Sequence, residues 1–339
     1  MSEKRKIRIG QIGALHDHAH DIIRTFKKMP DVYELVGVAV PEDEVMKHPE
    51  DYEGVTVFKS PEDMMENGRL DAVAIECSEI NLPKYVIMAA EHKLPVHMDK
   101  PGGISVIEFE EMIRRVRKAG IIFHTGYMYR YNPEVQKLKE DIECGRLGHI
   151  YSIEAHMDCG HKPSKRQWLG QFPGGMMFFL GCHLIDMICY LQGFPEEVIP
   201  FNCSTGTDGV TAEDCGFAVL KYKNGVSFAK TSANELGGFM RRQLVVCGEK
   251  GTVSLLPFEA PGNIEKNPFA RCTGVRSCLD RDGGWFYDGD FRMSEDYDRY
   301  IPMMDAFAAY VRGEKENPFT LDYELNIYHT LMKACDAKL

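Results

Sequence analysis

The chain has 339 residues, 51 acidic against 40 basic side chains, a formal net charge of -11 and 44% apolar residues. That composition is too apolar for a disordered chain, and the length suggests two domains, each able to bury a core. The acidic balance argues against nucleic acid, whose phosphates need a basic stripe; Lys4-Arg5-Lys6 is a short solvated start, and Arg114-Arg115 and Arg117-Lys118 lie on one charged helix face. No apolar run reaches the roughly 18 residues of a membrane span, and Met1 to Lys6 enters a strand without a signal-peptide core, so no membrane partner and a cytoplasmic location are expected.

In chain order, Ile7 to Ile12 reads as a buried strand, Ala19 to Lys28 as a helix and Tyr33 to Val40 as a strand rich in β-branched residues. Then come a strand at Val55 to Phe58, a helix from Pro61 to Glu66 and the apolar strand Asp71 to Ile75. A helix from Pro83 to His92, a strand from Pro95 to Met98, a helix from Ser105 to Ala119 and a strand from Ile121 to Thr125 complete the first part. This alternation predicts α/β architecture: a Rossmann-type doubly wound parallel sheet over residues 1–125.

Beyond it the pattern changes to Pro133 to Glu143 (helix), Gly148 to Met157 (strand), Gly181 to Leu191 (helix), and strands at 215–222, 226–232, 241–247 and 251–255. Lys223-Asn224-Gly225 reads as a type I′ hairpin turn. Residues 126–339 are therefore expected to form an α+β domain with a large, mostly antiparallel open sheet, closed by helices within 300–339. Gly262 to Gly284 reads as a polar surface loop. Eleven cysteines without a CxxC read as reduced thiols, not a disulfide framework or zinc site.

A strand running into Gly13 and then a helix is where a dinucleotide pyrophosphate would sit, because helix-start amides favour anions. Of the usual GxGxxG, only the first glycine stands in Gly13-Ala14-Leu15-His16-Asp17-His18, and Val40 replaces the acidic residue that grips the adenosine ribose. His16 and His20 would share a helix face at i and i+4 and suit a divalent metal, unless the helix starts at Asp17 or later. A phosphate- or substrate-facing loop and a plain solvated helix start are the other readings of this run, and no metal is assigned.

Two further segments are specific together: Val96 to Gly103, containing Asp99-Lys100-Pro101, and Gly174-Gly175 through His183 to Asp186. With Asp71 to Ile75, Tyr129-Arg130-Tyr131-Asn132-Pro133, Gly145 to Ile150 and Gly248 to Thr252, the chain resembles the glucose-fructose oxidoreductase / inositol dehydrogenase / MocA (Gfo/Idh/MocA) family of NAD(P)-dependent oxidoreductases. The resemblance implies NAD or NADP as cofactor, a sugar or polyol as substrate, and a homodimer or homotetramer formed through the C-terminal sheet. It makes Lys100 the catalytic lysine, Pro101 the proline often preceded by a cis peptide, and His183 the acid/base. Asp186 one turn later is a catalytic candidate to orient the histidine, with Asp158 and His161 as the other candidates. Gly13, Ala14, Leu15, His16, Ser78, Glu79, Lys100, Pro101 and Arg130 fall where relatives meet the cofactor. Lys100, Tyr129, Arg166, Trp168, Phe179 and His183 fall where they meet substrate.

The main departure is Phe179, four residues before His183, where the family commonly has an aspartate. That loss keeps open a family member without dehydrogenase activity that serves as a ligand-binding or regulatory protein. A metal-dependent lyase or hydrolase built on the histidines, including His156, Asp158 and His161, is the third alternative.

Overall fold

The computed structural model describes residues 5–258, 269–270, 273–278, 288–293 and 297–337. The chain divides into two compact units, Met1–Met128 with Tyr300–Leu325, and Tyr129–Arg299 with Asn326–Leu339.

The first unit carries β1 (Ile7–Ile12), α1 (Ala19–Lys28), β2 (Tyr33–Ala39), β3 (Val57–Phe58), α2 (Pro61–Asn67), β4 (Ala72–Ile75), α3 (Leu82–Glu91), β5 (Val96–Met98), α4 (Val106–Ala119) and β6 (Phe123–Thr125). The strands form one sheet in the order β3-β2-β1-β4-β5-β6, every pairing parallel. This is the expected doubly wound order, with its switch point between β1 and β4. Covered on both faces, β4 is the uninterrupted run Ala-Val-Ala-Ile with every residue buried. Side-chain caps start the flanking helices: Ser60 accepts from the Asp63 amide, and Ser105 from the Glu108 amide.

The second unit carries α5 (Pro133–Glu143), β7 (Ile150–Asp158), α6 (Pro163–Trp168), α7 (Cys182–Gln192), β8 (Glu197–Pro200), β9 (Cys215–Tyr222), β10 (Gly225–Ser232), β11 (Gln243–Gly248), β12 (Gly251–Leu255), β13 (Phe269–Ala270), β14 (Thr273–Cys278), β15 (Asp288–Met293) and β16 (Tyr297–Asp298). Eight of these strands pair in the order β15-β14-β12-β11-β7-β10-β9-β8, antiparallel except for β7 with β10. Two helices follow, α8 (Ile301–Val311) and α9 (Leu321–Ala334).

Three expectations change. Residues 300–325 pack with the first unit instead of the second. The reason is the apolar α8, which buries Met303, Met304 and Phe307, accepts a 2.6 Å hydrogen bond from the Tyr33 hydroxyl at the Met304 carbonyl, and lays Phe307 flat on His124. Within the stretch taken as a loop, Thr273–Cys278 is a strand, while much of the remainder lies outside the described residues. The hairpin at Lys223-Asn224 forms, but neither residue has a positive φ, so the turn is not type I′. Gly225 serves a different need: a Cβ there would stand 2.3 Å from the Tyr151 carbonyl oxygen on the adjoining strand.

Candidate active site

In the first unit the site grows from the C-terminal ends of β1, β4 and β5. Gly13 has φ +88°, and a Cβ would lie 2.3 Å from Cys77 Cα, so only glycine lets the β1 turn pass this close to the end of β4. Helix α1 begins at Ala19 with His18 as its N-cap, so His16 stands in the turn and the His16/His20 helical pair does not form. His20 instead meets the His48 ring at 4.5 Å.

His16 is buried and fixed from several sides. Its amide donates to the Glu76 carbonyl (3.2 Å), its Nε2 lies 3.1 Å from the Lys100 carbonyl, and its Nδ1 accepts from the His18 amide (3.2 Å). Asp99, also buried, accepts the Lys100 amide at Oδ1 (2.7 Å) and places Oδ2 2.7 Å from His16 Nδ1 and 3.1 Å from His18 Nδ1. Glu79 comes within 3.6 Å of His16 Nε2.

Asp99 thus cross-links the turn to the strand bearing Lys100. Burial alone would raise Asp99, but the His16 and His18 rings outweigh it and hold the carboxyl well below the usual carboxylate range. For His16, burial pulls down and Asp99 with Glu79 push up more strongly; for His18, burial prevails and the ring is lowered.

Beneath this layer lies a second set that sequence reasoning missed. His97 and His124 occupy paired positions on β5 and β6, and their Nδ1 atoms are 2.8 Å apart, one donating to the other. His97 Nε2 is 3.6 Å from Glu76. Burial pushes His97 down to about 4, and burial with the neighbouring Asp99 charge holds Glu76 well above its ordinary value. The signal was two histidines on separate strands, which becomes readable only once β5 and β6 are known to be neighbours.

Gly13, Ala14, Leu15, Ser78, Glu79, Lys100 and Pro101 all belong to the strand ends around this turn, and the Lys100-Pro101 peptide is cis. The adenosine side departs from the usual arrangement. Val40 packs with Met46 against the cluster of Ala14, Ile23, Val38 and Tyr52. The following segment folds back over the turn: the Lys47 amide donates to the Ala14 carbonyl (3.0 Å), Lys47 Nζ reaches Asp17 (2.9 Å), and Glu44 accepts from the Ser78 amide (2.8 Å) and Asn81 Nδ2 (2.9 Å).

In the second unit, α7 carries His183 and Asp186 on successive turns, both buried. Tyr129 meets the His183 ring edge-on at 4.9 Å. Asp186 takes a forked contact from Arg130, Nη2 at 2.6 Å and Nε at 2.9 Å, with each side chain only 1% exposed. Arg130 and Asp186, expected at the cofactor and beside His183, therefore form a buried ion pair with each other. Arg166 is likewise spent: its guanidinium is buried against Asp214 (3.0 Å) and Asp208, which anchors α6 to the segment before β9 instead of leaving a fork open to substrate.

Phe179 sits in a π-helical turn, Met177–Gly181, immediately before α7. Its ring is edge-on to Trp168 (5.4 Å) and stacked with Phe172 (6.2 Å), and Lys165 Nζ lies over both Trp168 (3.7 Å) and Phe179 (4.6 Å). The position of the family's aspartate is filled by an aromatic box under a cation. Gly175 makes this turn possible: at φ +48°, a Cβ would fall 2.0 Å from the Glu213 carbonyl oxygen. Asp158 pairs with Lys230 (2.8 Å), and among the described residues it does not converge with His156, His161 and His183 on a metal-sized point.

Comparison with known proteins agrees with this architecture. A model of the oxidoreductase family with an NAD-binding Rossmann fold matches residues 7–127, and a model of the GFO/IDH/MocA C-terminal domain matches residues 135–254. Myo-inositol 2-dehydrogenase of Thermotoga maritima is 26% identical over 73% of this chain and 73% of its own length. D-glucoside 3-dehydrogenase of Escherichia coli is 25% identical over 61% of this chain and 65% of its own. The WlbA dehydrogenase of Bordetella pertussis, solved with NADH and UDP-GlcNAcA, shares the fold at a TM-score of 0.75 and 21% identity, covering 98% of this chain and 97% of that one. Among the described residues no helix is long and apolar enough to cross a membrane. With the parallel-sheet unit and the mixed-sheet unit each matched along most of its length, the chain belongs to the Gfo/Idh/MocA family of NAD-binding oxidoreductases.

Proposed function

We propose that this oxidoreductase acts on a secondary hydroxyl of a sugar or polyol, with Lys100 polarising the substrate oxygen and His183 exchanging its proton. When bound, the nicotinamide cofactor supplies the hydride acceptor or donor. The observation that carries the reading is the fixation of Lys100: it is buried at the end of β5, and its peptide is held by Asp99 at the amide and His16 at the carbonyl. A backbone fixed at both its amide and its carbonyl starts the Lys100 side chain from one place, and a positioned ammonium lowers the reorganisation needed as negative charge develops on the oxygen. An imidazole suits proton exchange because its unperturbed pKa lies near neutrality, and Tyr129 fixes the His183 ring plane. The aromatic box of Trp168, Phe172 and Phe179 offers apolar faces of the kind that pack on sugar rings.

A second reading, a ligand-binding or regulatory protein without dehydrogenase activity, is favoured by the segment hydrogen-bonded over the Gly13 turn and by Phe179 in place of the carboxylate. Calorimetric titration with NAD(H) and NADP(H), followed by turnover on a panel of inositols and hexoses, separates the two. Micromolar binding with turnover lost in Lys100→Ala supports the first reading, whereas no binding of either cofactor at millimolar concentration leaves the second.

The open face of the large sheet supports assembly with a second copy of the chain. Phe201, Phe217, Phe228 and His156 form a continuous row across it, with ring centroids 6.3, 5.3 and 5.4 Å apart, and Phe201 and Val226 are exposed. Light scattering on wild type and Phe201→Ser tests this: a dimer or tetramer weakened by the substitution is expected.

A further inference from the structure

We propose that His16, His18 and Asp99 form a binding site for a first-row divalent transition-metal cation. The inference does not rest on the hydride-transfer reading. It starts from a local conflict. His16 Nδ1 accepts the His18 amide, while the ring's other nitrogen faces the Lys100 carbonyl, which can only accept. That pattern fixes the tautomer protonated at Nε2 and leaves a lone pair on Nδ1. Yet Nδ1 lies 2.7 Å from Asp99 Oδ2, a buried oxygen that accepts no hydrogen bond among the described residues. Two electron pairs this close repel unless a proton or a cation is shared between them. Either a proton, which makes His16 an imidazolium, or a cation takes the Nδ1 lone pair and releases the His18 amide. A cation can in addition take His18 Nδ1, which lies 3.1 Å from the same oxygen, and so join all three side chains at one point.

The ligand set is chemically coherent. Ring nitrogens with a carboxylate oxygen select first-row divalent ions over calcium or magnesium. One ring donates its second N–H to a backbone carbonyl, the outer contact that orients metal-binding histidines. Nδ1 of His16, Nδ1 of His18 and the carboxylate of Asp99 lie within 4.8 Å of one another. With bonds of about 2.1 Å, the 2.7 and 3.1 Å separations from Oδ2 correspond to angles of roughly 80° and 95° at the ion. Each of those angles is close to the roughly 90° of neighbouring ligand positions in an octahedron, which leaves room for water or a ligand oxygen at the ion. Among the surrounding charges, Glu79 favours a cation, as does whatever charge Glu76 retains, and the Lys100 ammonium opposes it. His18, partly exposed at 17%, supplies the side of entry.

The probe is cobalt(II) or zinc(II) added to chelator-stripped full-length protein under reducing conditions, read by calorimetry and by the visible bands of cobalt. One equivalent per chain is expected, with affinity weakened at least about tenfold in Asp99→Asn and in His18→Gln. The exposed trio His48, Glu50 and Asp51 is a competing locus, so His48→Ala is expected to leave that binding unchanged. Should Asp99→Asn unfold, His18→Gln carries the test, together with the upward shift of the thermal midpoint that metal gives wild type and not the variant. Binding that persists in His18→Gln, disappears in His48→Ala, or stays weaker than millimolar in wild type overturns the proposal. Cofactor titration on the metal-free protein reports separately on the hydride-transfer reading.

Discussion

The two units bury charge in opposite ways. In the second, the buried guanidinium groups of Arg130 and Arg166 meet carboxylates: Arg130 forks onto Asp186, and Arg166 reaches Asp214 and Asp208. In the first, Glu76, His97 and Asp99 are packed edge to edge with oxygen and nitrogen atoms that no hydrogen bond satisfies. Paired charges at interior dielectric hold a structure in one arrangement, whereas crowded, unmatched titratable groups are costly to keep and accumulate where protons, cations or ligands are handled. The contrast points to architecture for the ion pairs of the second unit and is consistent with the chemistry proposed for the strand ends of the first.

The largest test of that division is activity. Lys100→Ala and His183→Ala are each expected to lower kcat/KM by roughly 10²–10⁴-fold with the fold retained, measured on whichever polyol the panel identifies. Unchanged turnover in either removes that residue from the mechanism. Asp186→Ala is expected to act on stability, by about 3–5 kcal/mol, because it strands the buried Arg130 guanidinium. Since two units need not unfold together, hydrogen exchange of α7 and β7 amides is the appropriate readout. An Arg130→Met/Asp186→Leu double variant that regains most of the loss marks the pair as architecture. A turnover defect in that stable double variant would instead return Arg130 to the active site.

Phe179→Ala comes next, at about 3 kcal/mol, the lower end for removal of a buried phenyl ring, because the ring packs on Trp168 and Phe172 but lies under Lys165 at the rim. If the box holds substrate, KM rises as well, and thermal melts with and without polyol separate the two effects.

Much of the fold was readable because periodicity is local. The buried run Ala72 to Ile75 and the capped amphipathic helix after Ser105 need no knowledge of the rest of the chain. The motifs at Gly13, Asp99-Lys100-Pro101 and His183 are local in the same way, and their roles rest on the proposed function. The roles of Arg130, Arg166 and Asp186 were not, since a guanidinium reads alike in sequence whether it faces solvent or a carboxylate 48 or 56 residues away. The His97–His124 contact depends on strand order, and the fold-back of Glu44 and Lys47 onto the turn depends on loop geometry that has no period. Residues 300–325 were misplaced because a helix's apolar face says that it packs, not where.

The smallest expected effect concerns Asp158 and Lys230 on the large sheet, which lie between the two extremes. Burial raises the Asp158 carboxyl above its ordinary value, and Lys230, 2.8 Å away, offsets only part of that rise. Glu235 also contacts Lys230 but keeps a second cation in Arg241 at 2.6 Å. For a carboxyl raised in the folded state, folding favours the protonated form, so its stabilisation is complete below the unfolded pKa and is lost as pH rises through the folded one. Lys230→Met removes the offsetting charge and moves the folded value further up. The variant and wild type should therefore be nearly equal in acid, where Asp158 is protonated in both, and diverge as pH rises, reaching about 1–2 kcal/mol at neutrality, less than for a fully sealed pair because the ammonium is partly solvated. Urea midpoints of the second unit measured from pH 4 to 8 check the sign. A gap that stays constant across that range would show Lys230 acting through its aliphatic stem, and would place this pair with the packing of the sheet.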